Sequence, residues 1–295
     1  MTLPRDVHPG RFYLVTRRCT QRQFLLRPDD ATNNNVLYCL AVAAERYEVD
    51  ILLPCVMSNH YHAVVYDRGG NLPAFTEHFH KLVAKSQNAL RGRWENLWAS
   101  EQVCVVRLEG VADLLAKLVY VATNPVKDGL VAKVHHWPGV HGLAALLAER
   151  PMTARRPAHF FRTDGPMPES ATLRLTLPRE LGDADQVRAE VRERVAEMEQ
   201  TLADQRQRAG RRVLGRRAVL HQSWRDSPTT HEPRRNLRPR VAARNVWARV
   251  EALLRIRDFL ESYREARARW ISGLAAAFPP GTYWLRRFAN VSITA

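Results

Sequence analysis

Two short apolar runs, almost end to end in the chain, constrain the fold more than any other segment. Residues 50–57 (DILLPCVM) and 62–66 (HAVVY) consist largely of branched and other apolar side chains, and the polar pair Ser58 and Asn59 lies between them. Apolar runs of this length, bounded by polar residues, are typical of buried strands. The sequence therefore predicts two adjacent strands of one sheet.

The segments on either side extend this pattern. Residues 11–26 predict a strand followed by a polar turn, and residues 102–108 predict a further strand. Helical spacing of apolar residues predicts helices over about 35–48, 72–91 and 111–123, the last one ending before Pro125. This order of elements predicts an α+β fold in which helices pack on a small antiparallel sheet.

The second half of the chain has a different pattern. From about residue 151, Pro- and Arg-rich connectors surround two long predicted helices, at about 183–209 and 246–274, with a basic loop at 234–245 between them. We interpret the apolar stripes of both helices as core. The length of 295 residues is sufficient for about two domains. We therefore expect a catalytic domain over 1–150 and a basic, mostly helical region over 151–295.

The net charge of the chain is +15, and most of it lies in the second half. Residues 1–150 contain 17 Lys and Arg against 14 Asp and Glu, a net +3, whereas residues 151–295 contain 28 against 16, a net +12. All 28 of the later cations are arginines, the side chain best suited to bidentate phosphate contacts. This distribution favours a nucleic-acid partner.

Several classes of protein are excluded by the same sequence. The longest apolar stretch, residues 51–57, is far too short to span a bilayer, so we expect no membrane partner. The first ten residues have no apolar run typical of a signal peptide, which predicts a cytoplasmic protein. The cysteines form no CxxC pair, which argues against a zinc knuckle or a disulfide framework: Cys19, Cys39, Cys55 and Cys104.

The sharpest local motif is His60-Tyr61-His62. On a strand, residues i and i+2 lie on the same face, so both imidazoles can bind one divalent cation while Tyr61 lies on the other face. The alternative is a pair of hydrogen-bonded sheet histidines. His78 and His80 form a second motif of the same spacing, but in a predicted helix they lie about 200° apart, and we interpret them as helix surface.

A possible nucleophile lies in the third predicted helix. Tyr120 and Asn124 are four residues apart and therefore share a face, and Lys117 lies one turn earlier. A tyrosine can attack a phosphodiester once a metal polarises the phosphate, and an amide oxygen can complete the metal site. The alternative is that Tyr120 packs on the sheet and Asn124 merely ends the helix.

Together, MSNHYHAVV and YVATNPVKDGLV resemble the REP-associated tyrosine transposases, a single-tyrosine family of the HUH nucleases of bacteria. The resemblance covers about residues 8–140, including RFYLVTRR, Leu97-Trp98 and residues 136–138 (HWP). The chain departs from the family pattern at Ser58, where proline is usual, at Tyr61, where another hydrophobic residue is usual, and at Leu14, where histidine is frequent.

The resemblance implies a ferredoxin-like HUH nuclease fold and a transposase activity. His60, His62 and Asn124 would bind Mg²⁺ or Mn²⁺, and Tyr120 would attack single-stranded DNA and retain its 5′-phosphate. The implied substrate is a palindromic hairpin with single-stranded flanks, and the implied place of action is the nucleoid. Two alternatives remain open, namely a rolling-circle initiator or relaxase, and a domesticated protein that binds hairpins without cleaving them.

We expect basic and aromatic side chains to bind this DNA. The candidates for phosphate contacts are Arg17, Arg18, Lys117, Arg234, Arg235, Arg238 and Arg240. Trp94 or Trp98 is the candidate for base stacking. The sequence leaves open whether the protein acts as a monomer or a homodimer.

Overall fold

The computed structural model describes residues 4–230 and 239–294. Its helices are α1 (Asp30–Tyr47), α2 (Leu72–Arg91), α3 (Val111–Lys127), α4 (Leu143–Leu147), α5 (Ala184–Arg208), α6 (Arg216–His221), α7 (Val246–Ile271) and α8 (Trp284–Ala289). Its strands are β1 (Arg11–Arg18), β2 (Val49–Val56), β3 (His60–Asp67), β4 (Cys104–Leu108), β5 (Met152–Arg155), β6 (Ser170–Leu173), β7 (Val241–Ala242), β8 (Ala277–Phe278) and β9 (Ser292–Ile293). The predicted α+β class is confirmed.

The main sheet has the strand order β2-β3-β1-β4-β7. The first four strands in this order pair antiparallel with one another, as predicted, and the apolar runs on either side of Ser58 form β2 and β3. In the register of β1 and β3, Thr16 lies opposite His62 and Arg18 lies opposite His60. The two-residue strand β7, which the sequence did not predict, pairs parallel with β4 and brings the C-terminal region to the sheet edge.

Helices cover both faces of this sheet. Alternate residues of β1 enter different cores: Tyr13 and Val15 pack with α1 and α2 on one face, and Leu14 packs with α3 on the other. This alternation follows from the period of two of a strand. The two faces are therefore chemically independent, and each presents its own set of β1 and β3 side chains.

The C-terminal region contributes to both cores. The β5–β6 hairpin packs on α1, and α5 packs on the outer side of α3 through Val187, Val191 and Val195. Fully burying one valine side chain contributes roughly 1.5 kcal/mol or more, so α5 holds α3 firmly in place. The boundary near residue 150 stays a prediction, although each core contains residues from both sides of it.

The apolar stripe predicted for the last long helix is largely wrong. On α7 only Ala252, Phe259 and Ala266 are buried, whereas Val250, Leu253 and Trp270 are 41%, 47% and 42% exposed. The helix touches the rest of the described chain at few points, mainly β7 and β8. Its amphipathic spacing is therefore only partly used for core packing.

The predicted end of α3 is also wrong, since the helix continues through Pro125 to Lys127. A proline in a helix removes one backbone donor, a cost that tertiary packing can offset in a last turn. Here the Pro125 and Val126 side chains are buried, and the Asn124 carbonyl still accepts a hydrogen bond from the Asp128 N–H at 3.0 Å. The extra turn brings Lys127 to the same side as Tyr120.

No helix in the described ranges is long and apolar enough to cross a membrane. The four cysteines are free thiols, as expected, and three of them are buried. Burial raises the pKa of the Cys39 thiol to about 12, so this residue packs as a small neutral side chain.

Candidate active site

The pair His60 and His62 lies on the α3 face of β3, as the strand geometry predicts. The two ring centroids are 4.8 Å apart, and the rings meet edge to face at 82°. Tyr61 lies on the opposite face, where its ring contacts those of Phe79 and Trp98. The shared face of the two imidazoles is therefore confirmed, whereas their role as metal ligands stays a prediction.

Hydrogen bonds fix the orientation of both imidazoles. Thr16 Oγ1 lies 2.7 Å from His62 Nδ1, and Asn59 Oδ1 lies 2.7 Å from His60 Nδ1. A carbonyl oxygen only accepts, so Asn59 places the His60 ring proton on Nδ1 and the lone pair on Nε2. With its proton also on Nδ1, His62 donates to Thr16 and has its Nε2 lone pair in the form that binds a cation.

The His62 imidazole is neutral at physiological pH. Its burial lowers the pKa well below the ordinary value, and the neighbouring His60 and the cations Lys127, Arg18 and Lys117 lower it further. A neutral imidazole is a metal ligand, whereas an imidazolium is not. The electrostatic surroundings of His62 therefore favour the ligand form.

Helix α3 places Tyr120 against this pair. The Tyr120 ring centroid lies 5.4 Å from that of His62, and the rings meet at 74°. The ammonium groups of Lys117 and Lys127 lie 5.5 Å and 5.0 Å from the Tyr120 centroid. The Tyr120 ring therefore lies close to two cations, which would attract a phosphate to this place.

The Tyr120 phenol is half-buried. Burial raises its pKa above the ordinary value and the negative charge of Asp128 adds to this, while the side-chain amide of Asn124 acts in the opposite direction. At neutral pH the phenol is therefore protonated. Attack on a phosphate requires an additional group that stabilises the developing negative charge.

Asn124 is buried, at 3% exposure, one turn after Tyr120. Its Oδ1 atom has no hydrogen-bond partner within the described chain, although a buried amide oxygen without a partner is costly. A bound cation would satisfy this atom. Since α3 continues past Asn124, the alternative that this residue merely ends the helix is wrong.

The donor set of this site fits a cation bound by two imidazoles and one amide oxygen. Within residues 4–230 and 239–294, no cluster of three or more His, Cys, Asp and Glu side chains is placed to hold a metal. An amide oxygen suits Mg²⁺ and Mn²⁺, and imidazole favours the softer Mn²⁺ of the two. The binding of either cation at this site stays a prediction.

The two adjacent arginines of β1 lie on different faces of the sheet. Arg18 is exposed on the face of His60, whereas Arg17 donates from Nη1 to His80 Nδ1 at 2.8 Å and lies over the Trp98 ring. That either arginine contacts DNA stays a prediction. Arg18 is placed beside the candidate active site, and Arg17 is not.

The second histidine motif lies in a helix, as predicted, but His80 is not on the helix surface. His80 lies in α2 but is only 3% exposed, and its Nε2 lies 2.5 Å from the Tyr61 hydroxyl. Because Arg17 has no acceptor, His80 Nδ1 accepts and Nε2 donates, which defines a neutral buried imidazole. Helical periodicity does not show that a polar side chain has buried partners.

The other residues expected to bind DNA lie in different surroundings. Trp94 is 98% exposed and stays a candidate for stacking, but Trp98 is 7% exposed and donates from Nε1 to the His80 carbonyl, so it is a core residue. Arg240 borders β7, where its carbonyl accepts from the Arg107 N–H at 2.8 Å. Arg234, Arg235 and Arg238 lie outside the described residues.

Sequence reasoning missed two residues of the site. Thr16 is recognised only once β1 and β3 are in register, which one strand alone does not reveal. Lys127 lies seven residues after Tyr120 and so on the same helix face, a signal that was available but was hidden by ending the helix at Pro125.

A scan against protein-family models and a search of curated proteins find no match for this chain. Among solved structures it is similar to a REP-associated tyrosine transposase bound to a REP hairpin, with a TM-score of 0.43 and 18% identity over 50% of this chain and 86% of that one. It is also similar to a "putative transposase" from Deinococcus radiodurans, with a TM-score of 0.27 and 15% identity over 36% of this chain and 85% of that one.

Proposed function

We propose that this protein is a metal-dependent endonuclease and strand transferase, a transposase that cuts and rejoins single-stranded DNA beside a hairpin through a 5′-phosphotyrosine. The observation that supports this most is the position of the Tyr120 ring, whose centroid lies 5.4 Å from that of His62 and 5.5 Å and 5.0 Å from the ammonium groups of Lys117 and Lys127. The buried Asn124 oxygen, which has no hydrogen-bond partner within the described chain, is a second observation that supports it.

In the proposed reaction, the Tyr120 oxygen attacks the scissile phosphorus and loses its proton. The bond from phosphorus to the 3′-oxygen breaks, and the released strand takes up a proton to end in a 3′-hydroxyl. Lys117 and Lys127 neutralise part of the charge that develops on the phosphate oxygens. The phosphotyrosine retains the energy of the broken bond, so a 3′-hydroxyl can later reverse the reaction.

A divalent cation bound by His60, His62 and Asn124 would supply Lewis-acid polarisation of the scissile phosphate. The residues of the chain prepare that site in advance. Thr16 and Asn59 orient the two rings, and burial keeps His62 neutral. The substrate we propose is unpaired at the cleavage point, as the resemblance of the two motifs implies.

Strand-specific labelling tests the polarity of the proposed cleavage. A hairpin oligonucleotide with single-stranded flanks is labelled at either its 5′ or its 3′ end and incubated with the protein and Mn²⁺. The 3′-labelled product is expected to migrate with the protein on a denaturing gel, and the 5′-labelled product is expected to be released with a 3′-hydroxyl. Products without bound protein from both labels would indicate hydrolysis and contradict a tyrosine nucleophile.

A further inference from the structure

A cavity of about 770 Å³ lies on the face of the sheet opposite Tyr120. It is formed by the N-terminal segment, β1, α2, the loop before β4, α7 and the start of α8. The lining residues that matter for its chemistry are Arg5, Arg17, His80, Arg264, Arg267 and Trp284. Its volume lies within the roughly 300–1,000 Å³ of small-molecule sites.

The cavity is independent of the candidate active site. Arg17 lines it, while Arg18, the next residue, lies with His60 on the other face. The Arg17 contact to His80 also belongs to the cavity side of the sheet. A ligand in this cavity and a substrate at Tyr120 therefore lie on opposite faces of the sheet.

The lining carries an excess of positive charge. Four guanidinium groups and two carboxylates, Glu77 and Glu101, border the cavity, so the lining has two more cations than anions. Arg17 Nε is buried and has no hydrogen-bond partner within the described chain. Guanidinium groups in such a position favour a phosphate, which accepts several hydrogen bonds at once.

Burial of the Arg5 and Arg17 guanidinium groups is unfavourable unless an anion lies beside them. It lowers the pKa of Arg5, and the nearby charge of Arg17 lowers it further, although both side chains remain protonated at neutral pH. Arg5 is held by a hydrogen bond from Nη2 to the Val103 carbonyl at 2.9 Å. The positive charge is thus fixed in place before any ligand binds.

Aromatic side chains complete the lining. Tyr263 comes from α7, and Tyr283 and Trp284, whose ring centroids are 4.9 Å apart, come from the start of α8. Trp284 is 41% exposed, so its ring retains accessible surface. Aromatic faces of this kind stack on planar bases without strong preference for one base.

We propose that this cavity binds a nucleotide, with the phosphate on the arginines and the base against the aromatic rings. Either a free nucleotide or one unpaired nucleotide of a DNA strand supplies this chemistry. The second source rests on the proposed function, whereas the first is independent of it. The site uses α7 and α8, and so it assigns a role to the basic C-terminal region.

Titration calorimetry of the full chain with deoxyadenosine 5′-monophosphate tests the site. The variant Arg264→Ala/Arg267→Ala is expected to bind this nucleotide about tenfold or more weakly, because two charge-assisted contacts are lost. Trp284→Ala removes the stacking partner and is also expected to weaken binding. The matched control Arg257→Ala removes an exposed arginine of α7 outside the lining and is expected to leave affinity unchanged.

A second titration, with an unstructured oligothymidine strand, distinguishes the two sources. If the strand is the ligand, the double variant loses oligonucleotide affinity and the free nucleotide competes with the strand. If a free nucleotide is the ligand, only mononucleotide binding is lost. Unchanged binding of both probes in the double variant, or equal losses in Arg257→Ala, would overturn the proposal. Neither titration requires DNA cleavage. The nucleotide site can therefore be tested even if Tyr120 does not cleave DNA.

Discussion

The Tyr120 ring meets the His62 ring edge to face, with 5.4 Å between their centroids, although the two residues are 58 positions apart in the chain. The strand β3 fixes the imidazole, and α3, held from outside by α5, fixes the phenol. A candidate nucleophile and a candidate metal ligand are therefore in contact before substrate binds. Such preorganisation is what a phosphoryl-transfer site requires.

The imidazole pair is expected to be essential for cleavage. His60→Ala and His62→Ala should each reduce it by about 100-fold or more, because Lewis-acid polarisation contributes several kcal/mol to the transition state. Cleavage should also stop when a chelator is added and return with Mn²⁺. The control is His78→Ala, a half-buried position on α2. An equal loss in that variant would show that the strand pair has no special role.

Thr16 is expected to position His62. In Thr16→Val the hydrogen bond to His62 Nδ1 is lost without a change of side-chain shape, and such contacts typically contribute about 10- to 100-fold to metal affinity or activity. Cleavage measured across a Mn²⁺ series should require more metal to reach half-maximal rate. Thr153→Val, at an exposed position of β5, is the matched control. A lower rate at an unchanged metal requirement would argue against positioning.

The spacing of apolar residues predicted the helices and strands of the site better than it predicted the contacts between their side chains. Helix α2 has the bounds that its apolar spacing indicated, and the period of two placed His60 and His62 on one face. The burial of His80 was not predictable, because it depends on Tyr61 and Arg17 from two different strands. Pairings between distant segments leave no periodic signal in either segment.

In the C-terminal region, too, the sequence predicted helices but not how they pack on the rest of the chain. Its long helices were predicted from capping and spacing, and Asp183 does cap α5 by accepting from the N–H groups of Asp185 and Gln186. The attachment of β7 to the sheet rests on only two residues, too few for a strand pattern. The apolar spacing of α7 also could not show that Val250 and Leu253 stay exposed.

The basic segment between α6 and α7 is expected to contribute sequence-independent affinity. Replacing Arg234, Arg235, Arg238 and Arg240 together by alanine should flatten the plot of log affinity against log salt by roughly three units, since each phosphate contact contributes about 0.7 on single strands and 0.9 on duplex. The measurement is hairpin affinity across a salt series. If wild type and variant have the same salt dependence, the positive charge that attracts DNA lies elsewhere in the chain.

Acid is expected to destabilise the fold through His141. Burial lowers the pKa of His141 to about 4, and its ring nitrogens donate to the Ala122 carbonyl and accept from the Leu143 N–H. The unfolded chain, with a histidine pKa of about 6.5, therefore binds an extra proton as pH falls from about 6.5 to 4. This contribution to stability is complete above that window and is lost on acidification.

Urea unfolding at pH 6 and pH 5 measures this effect. Wild type should lose up to about 1.4 kcal/mol more unfolding free energy per pH unit than His141→Gln, which cannot take up the proton. Gln can still form one of the two hydrogen bonds, so the variant is expected to fold. Parallel pH dependence in the two proteins would show that His141 is protonated equally in both states.

The central claim is that Tyr120 becomes covalently joined to DNA. Wild type is incubated with a single-stranded hairpin oligonucleotide and Mn²⁺, denatured and digested, and the peptides are analysed by mass spectrometry. We expect a nucleotide adduct on the peptide that contains Tyr120, no adduct in Tyr120→Phe despite nearly unchanged hairpin binding, and a retained adduct when Thr153→Val is used as a neutral variant. An adduct that persists in Tyr120→Phe, or hairpin binding without any adduct in wild type, would contradict the account.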